Sequence, residues 1–254
     1  MTAQDPTLQI VDNPAAATEE ALAIVSRLVA TAVQERGRCF IALAGGNTPS
    51  GLYSRLGRPP LVDQMPWTAV QIFFTDERCV GPDDPQSNYG MVKRTLLEPA
   101  PIPAENVHRI KGELDPDQAA AAYQAELEKS FGIASDAVPR FDFILLGMGP
   151  DGHTASLFPH TAALDIRDRL VAANWVPQMN TNRITLTLSV LNSAREILFL
   201  VSGEDKAEAL QTVLEMPPNP DGLPSQLIQP PEGHVTWLVD RAAGAKLRQA
   251  RGNP

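Results

Sequence analysis

Residues 141–146 (FDFILL) and the loop that follows limit what this chain can become more than any other stretch. The run is nearly all apolar, with Asp142 the exception, which suits a strand buried on both faces. Gly147, Met148, Gly149, Pro150, Asp151 and Gly152 then interrupt it. Three glycines and a proline in six residues cannot continue a strand and make poor helix, so they form a tight, backbone-rich loop at its carboxyl end. Asp151 and His153 sit on that loop. Open α/β sheets hold their ligands at this edge, so the expected site has His153 at its centre.

The same loop fits G-x-G-x-x-G, the dinucleotide fingerprint, a weak signal when it stands alone. A dinucleotide site needs a helix of useful length after the loop and then a strand ending in an acidic residue. Here Pro159 limits any helix to about two turns. The next apolar run, 170–173, is short and adjoins a charged segment (Asp165, Arg167, Asp168, Arg169). The pattern speaks against a nicotinamide or flavin.

The rest of the chain alternates apolar runs with helical periods. Residues 8–11 read as a first strand, and Asn13-Pro14 as an N-cap with proline at the first helical position. Ala21, Ile24, Val25, Leu28, Val29 and Ala32 then mark one face of a long helix that Gly37 stops. Residues 39–44 (CFIALA) form the next strand, ending in Gly45-Gly46-Asn47-Thr48-Pro49, where Thr48 is placed to cap a helix with Pro49 at its first position. Such a loop presents free N–H groups and a helix dipole to a phosphate, or is simply a tight turn; from this loop alone both readings stand. It is not a Walker loop, because no Gly-Lys-Ser/Thr follows.

Residues 70–75 (VQIFFT) make a third strand, ending in Asp76-Glu77-Arg78. Those charges are either a solvated loop or a carboxylate and a guanidinium aimed into a cleft. A polar loop (81–87) leads to a helix with Met91, Leu96 and Leu97. Asp115-Pro116-Asp117-Gln118 starts a helix carrying Ala120, Tyr123, Leu127 and Phe131. Residues 184–188 and 196–202 read as strands, the latter followed by Gly203-Glu204-Asp205-Lys206 and a helix through about Leu214. Residues 235–240 are the last strand and 241–249 a terminal helix. Alternation of this kind predicts a mainly parallel sheet, and without a clear linker residues 1–254 read as one α/β domain.

The formal net charge is -9, which disfavours nucleic acid or an anionic membrane as a partner but leaves room for a small anionic substrate at a local cation cluster. No basic segment followed by an apolar run opens the chain, and no stretch is apolar enough to span a membrane. Cys39 and Cys79 do not form a C-x-x-C pair, so a reducing cytoplasm is the simplest setting.

Four stretches agree with one family, in that family's order. Residues 42–49 (ALAGGNTP), 73–80 (FFTDERCV), 147–159 (GMGPDGHTASLFP) and 203–210 (GEDKAEAL) resemble the 6-phosphogluconolactonase family. The similarity runs on through TNRITLTLSVLN and WLVDRAA, and so covers nearly the whole chain. The related glucosamine-6-phosphate deaminases carry an Asp-Glu-Tyr-type motif and Ala-Phe-Asn-Glu after the histidine. Asp76-Glu77-Arg78 and Ala155-Ser156-Leu157-Phe158 stand at those places here, which favours the lactonase. Ala44 and Asn47 stand where serines often flank the two glycines.

The resemblance implies a three-layer α/β/α fold with a mainly parallel, Rossmann-like sheet, similar to glucosamine-6-phosphate deaminase and ribose-5-phosphate isomerase. It implies hydrolysis of 6-phospho-D-glucono-1,5-lactone to 6-phosphogluconate in the oxidative pentose phosphate pathway, without metal or organic cofactor. The expected partner is that small phosphosugar lactone, and the expected assembly a monomer or small homo-oligomer. An amino-sugar phosphate deaminase or isomerase and a non-catalytic sugar-phosphate sensor are the alternatives.

Opening a lactone requires a base for the attacking water and a proton for the departing ring oxygen, and histidine suits both steps. His153 is the candidate. Asp151 either orients its imidazole or satisfies loop N–H groups. Arg78 can stabilise charge developing on the carbonyl oxygen, and by resemblance Asp76 contacts sugar hydroxyls, unless the two merely pair at the surface. By resemblance too, Arg183 and Lys206 bind the phosphate, with Gly45, Gly46, Asn47 and Thr48 completing that site. His160 is placed near the rim, His108 and His234 lie far from any glycine loop, and Cys79 has no evident base to activate it.

Overall fold

The computed structural model of the protein describes residues 5–248. The strands are β1 (Thr7–Val11), β2 (Cys39–Leu43), β3 (Val70–Phe74), β4 (Asp76–Arg78), β5 (Phe143–Leu146), β6 (Val171–Val176), β7 (Thr181–Leu186), β8 (Glu196–Val201) and β9 (His234–Asp240). The α-helices are α1 (Pro14–Arg36), α2 (Asn47–Leu56), α3 (Leu61–Gln64), α4 (Asn88–Val92), α5 (Pro116–Phe131), α6 (Leu188–Leu191) and α7 (Ala207–Glu215).

Six strands pair in the order β1-β9-β8-β5-β2-β3, every pair parallel. β2 and β5 are buried at every position, as strands covered on both faces must be. On one face Ile41, Leu43, Phe143 and Leu145 meet Val25 and Val29 of α1 and Leu52, Tyr53 and Leu56 of α2. On the other, Phe40 stacks on Phe131 of α5 at 4.2 Å between ring centroids, with Phe73 and Phe141 packed edge-on or tilted beside them. Helices thus cover both faces of the parallel sheet.

The helix ends follow local chemistry. Asn13 accepts from Ala16 N–H at 3.0 Å and Pro14 takes the first turn, while Gly37 closes α1 in the left-handed conformation at φ 74°. Asp115 caps α5 by accepting from the N–H groups of Asp117 and Gln118. α2 starts two residues before the Pro49 expected to open it: it begins at Asn47, with Gly46 as its N-cap and no side-chain cap, so Thr48 lies inside the first turn.

The large departure from the expected pattern lies at residues 76–78. Instead of a solvated loop they form β4, which leaves the parallel sheet after Thr75 and pairs antiparallel with β7. β6 adds to β7 to complete a second sheet in the order β4-β7-β6. Asp76 and Glu77 are buried there. Three consecutive charges conceal a strand from periodicity, because burial here is satisfied by hydrogen bonds rather than by apolar contact. The terminal helix expected over 241–249 is also absent: residues 241–248 are successive turns, with Gly244 in their middle and Asp240 Oδ1 accepting from Ala243 N–H. Gln249 lies outside the described residues.

The strand order places the site. After β2 the chain passes through α2 and joins β3 on one side; after β5 it joins β8 on the other. The carboxyl ends of β2 and β5 are therefore a topological switch point, where a crevice opens between diverging loops.

Candidate active site

A cleft of about 460 Å³ lies at that switch point. It is lined by Gly45, Gly46, Asn47 and Thr48 after β2, Asp76 and Arg78 of β4, His153 after β5, and Lys206 after β8. Residues from four regions of the sequence therefore converge on one cavity. Asp151 and Arg183 stand behind this lining, each against a residue that belongs to it. Asp151 bonds to His153, and Arg183 is the cross-strand partner of Arg78.

His153 is placed by a loop without helix. Residues 151–160 form turns and an isolated bridge, so even the short helix Pro159 would permit is not made. The imidazole Nδ1 lies 2.5 Å from Asp151 Oδ1, the same oxygen that accepts the His153 N–H at 3.2 Å. Asp151 thus orients the ring and satisfies the loop at once. Burial works to raise the Asp151 carboxyl, but the hydrogen bond and charge of His153 outweigh it and hold the group below its usual range. An ionised Asp151 accepts, so Nδ1 carries the proton and Nε2 presents a lone pair. The ring also stacks on Phe158, 4.1 Å between centroids.

Glycine makes this packing possible. A Cβ on Gly149 would lie 2.1 Å from His153 Nδ1 and 2.7 Å from Asp151 Oδ1. Gly152 holds φ 77°, and its carbonyl accepts from both the N–H and the hydroxyl of Ser225, at 3.0 and 2.8 Å. The Thr154 hydroxyl donates to the Gly147 carbonyl at 2.8 Å, closing the loop on itself.

Asp76 and Arg78 do not pair with each other. The Asp76 carboxylate accepts from Thr75 Oγ1 at 3.0 Å and from Ser156 Oγ at 2.7 Å, which ties β4 to the His153 loop. Arg78 donates to the Gln86 carbonyl. Arg183 bonds to the Thr181 hydroxyl and the Asn182 carbonyl, and burial and the neighbouring Arg78 charge lower its pKa. Two guanidiniums stand side by side, neither in a salt bridge with a carboxylate among the described residues, and concentrate positive charge at this wall near Asp76. Lys206, also in the lining, lies 2.5 Å from Asp205, and that contact lowers the Asp205 carboxyl. The first intrahelical bond of α2 is Ser50 N–H to Gly46 O at 3.3 Å, so the N–H groups of Asn47 and Thr48 precede it and point out of the helix start.

Asn88, Ser156, Phe158 and Ser202 also belong to the site; Ser156 and Phe158 enter the sequence reading only as part of the family motif, and none of the four is assigned a role there. Asn88 Nδ2 donates to the Asp76 carbonyl at 2.9 Å, and its Oδ1 would lie 1.7 Å from a Cβ on Gly45. Ser202 lines the cleft with a buried hydroxyl that has no partner among the described residues. The Ser87 hydroxyl caps α4 by accepting from Gly90 N–H at 2.9 Å, where the sequence places the end of the polar loop and the start of a helix. The other histidines lie elsewhere. His160 is exposed, His108 is buried between Glu126 and Gln71, and His234 meets Thr7. Cys79 is half-buried, and burial raises its thiol. Among the described residues no helix is long and apolar enough to cross a membrane.

Comparison with known proteins gives one answer. The family model described as glucosamine-6-phosphate isomerases/6-phosphogluconolactonase matches residues 12–237. The chain is 40% identical to a 6-phosphogluconolactonase of Synechocystis over 96% of this chain and 99% of that protein. It is 40% identical to the human 6-phosphogluconolactonase over 84% of this chain and 82% of that one. Among solved structures, 6-phosphogluconolactonase from Trypanosoma brucei superposes with a TM-score of 0.85 at 27% identity, covering 96% of this chain and 99% of that one. A monomeric glucosamine-6-phosphate deaminase shares the fold, with a TM-score of 0.78 at 22% identity over 94% of this chain and 99% of that one.

Proposed function

The chain belongs to the glucosamine-6-phosphate isomerase/6-phosphogluconolactonase family, and from that premise we infer how its cleft works. It is a hydrolase of the lactonase branch, converting 6-phospho-D-glucono-1,5-lactone to 6-phosphogluconate in the oxidative pentose phosphate pathway. The observation that carries the mechanism is the Asp151–His153 pair at the cleft wall, with Nδ1 engaged and Nε2 available.

Nε2 of His153 takes a proton from water as the water oxygen bonds to the lactone carbonyl carbon. Negative charge gathers on the carbonyl oxygen, where Arg78 offers a cation. The imidazolium, held by the Asp151 carboxylate, then returns its proton to the ring oxygen as the carbon–oxygen bond breaks. Acid and alcohol result, and the histidine is regenerated. Asp76, whose two oxygens each accept one hydroxyl already, retains lone pairs for sugar hydroxyls. Arg183, Lys206 and the Gly45, Gly46, Asn47, Thr48 turn form the phosphate end. The net charge of -9 and the small polar cleft support a small-molecule partner rather than nucleic acid, and the proposed setting is a monomer or small homo-oligomer in the cytoplasm.

The test is consumption of freshly prepared 6-phosphogluconolactone against its spontaneous hydrolysis, with unphosphorylated gluconolactone as control. Fast turnover of the phosphorylated lactone alone is expected. Equal rates would remove the phosphate role of Arg183 and Lys206, and no acceleration over buffer would overturn the hydrolase.

A further inference from the structure

Glu77 lies between two cleft residues on β4 but does not line the cleft, as alternation along a strand requires. It is 2% exposed. Its Oε1 accepts the N–H groups of Arg78 at 2.8 Å and Asn88 at 2.7 Å. Its Oε2 accepts the N–H of Tyr89 at 2.8 Å and the hydroxyl of Ser87 at 3.0 Å. All four donors are neutral, and three of them come from one short stretch, 87–89.

Two of the four clamped residues, Arg78 and Asn88, line the cleft. The Arg78 guanidinium rests on the carbonyl of Gln86, the residue before the clamped stretch. Asn88 supports the Asp76 carbonyl and fills the space that Gly45 leaves open. One buried carboxylate therefore sits behind Arg78, Asp76 and the glycine turn.

We propose that Glu77 is a positioning residue for the lactonase reaction, its carboxylate fixing residues 86–89 and through them the guanidinium of Arg78. The proposal rests on the hydrolase reading above. Stability alone does not account for such a group. Burial pushes the Glu77 carboxyl up despite its four donors. A carboxyl with a raised folded-state value stabilises the fold most below the ordinary carboxyl range and loses that contribution as pH rises through the raised value. Four hydrogen bonds hold the ionised clamp against the cost of burying its charge.

A double-mutant cycle tests this. Wild type, Glu77→Gln, Arg78→Ala and the double variant are compared for kcat and KM on 6-phosphogluconolactone, with thermal melts run alongside. Glutamine keeps the shape but turns one acceptor into an NH₂ facing two donors. The expected result is a cooperative melt for Glu77→Gln, with kcat reduced roughly 10- to 100-fold and KM changed less than about threefold. In the Arg78→Ala background the same change should cost under about twofold, because both act on one guanidinium. Fully additive losses, or an unchanged kcat in folded Glu77→Gln, would overturn the proposal. Should Glu77→Gln not fold, Ser87→Ala removes one donor and leaves the carboxylate. A kcat loss that disappears in the Arg78→Ala background supports the role, and no loss, or an equal loss in both backgrounds, refutes it. Failure of the hydrolase reading would show separately, as no acceleration by the wild type.

Discussion

The loops that follow β2 and β5 leave adjacent parallel strands at the same sheet edge, and both depend on glycine, yet they use it differently. After β2, Gly46 adopts φ 105° and delivers the chain into ten residues of α2, so the free N–H groups of the first turn face the cleft. After β5, no helix follows. There Gly149 is absent side-chain volume: the imidazole of His153 and the carboxylate of Asp151 occupy the place where a Cβ would project. One loop exposes backbone to a ligand, and the other makes room for a side chain that acts on it. A G-x-G-x-x-G string cannot tell these uses apart; the element after the loop decides.

The variant that breaks the comparison most directly is His153→Ala. If the β5 loop exists to present this base, hydrolysis of the phosphorylated lactone should fall by roughly 10²- to 10⁴-fold, with KM little changed. Circular dichroism should match the wild type and the melt should lie only slightly below it, since the ring is partly exposed and held by one side-chain hydrogen bond and the stack on Phe158. A residual rate within about threefold of the wild type would move the base elsewhere in the cleft.

A sharper contrast comes from adding one methyl group to each loop. Gly149→Ala places its Cβ against the imidazole, so the ring must move or the loop must open; kcat should fall by about 10- to 100-fold. Gly45→Ala strikes Asn88 Oδ1 instead, at the phosphate end. Its effect should appear mainly as a higher KM for the phosphorylated lactone, with the slow turnover of unphosphorylated gluconolactone much less affected. Steady-state kinetics on both substrates reads the difference. The same kcat-to-KM signature in both variants would mean that the two loops do one job.

How far this was legible in the sequence depended on what each segment's burial rests on. Strands β2 and β5 are apolar throughout and β8 is apolar after Glu196, helices α1 and α5 carry caps and a one-sided apolar period, and these were read directly. The His153 loop was also readable, because glycine and proline punctuate it. β4 was not. Its burial rests on Glu77 gathering N–H groups from residues 78, 88 and 89 and on Asp76 accepting two hydroxyls, one of them from Ser156 far along the chain. Long-range hydrogen bonding leaves no periodic trace. For the same reason no role is legible for Asn88, or for Ser156 beyond its place in a family motif, whereas Asp76, Arg78 and His153 stand out as charged or titratable residues at or just beyond strand ends.

Asp151→Asn separates the two tasks that the Asp151 oxygen performs, and its expected effect is the smallest. An asparagine Oδ1 can still accept from Nδ1–H and from the His153 main-chain N–H, so loop and tautomer survive. What is lost is the negative charge beside an imidazolium formed during turnover, which should lower kcat by roughly tenfold. The stability consequence has a definite sign. The Asp151 carboxyl is held below its ordinary value, so its pairing stabilises the fold above the ordinary carboxyl range and ceases to do so as pH falls through the lowered value. Wild type should therefore melt slightly above Asp151→Asn near neutrality, and the gap should close below about pH 4. With a side chain 42% exposed, the gap itself will be small. If it holds constant into acid, charge pairing with His153 contributes nothing to the loop. Asp151 would then resemble the glycines of its own loop, shaping the backbone, and the β5 loop would owe its chemistry to His153 alone.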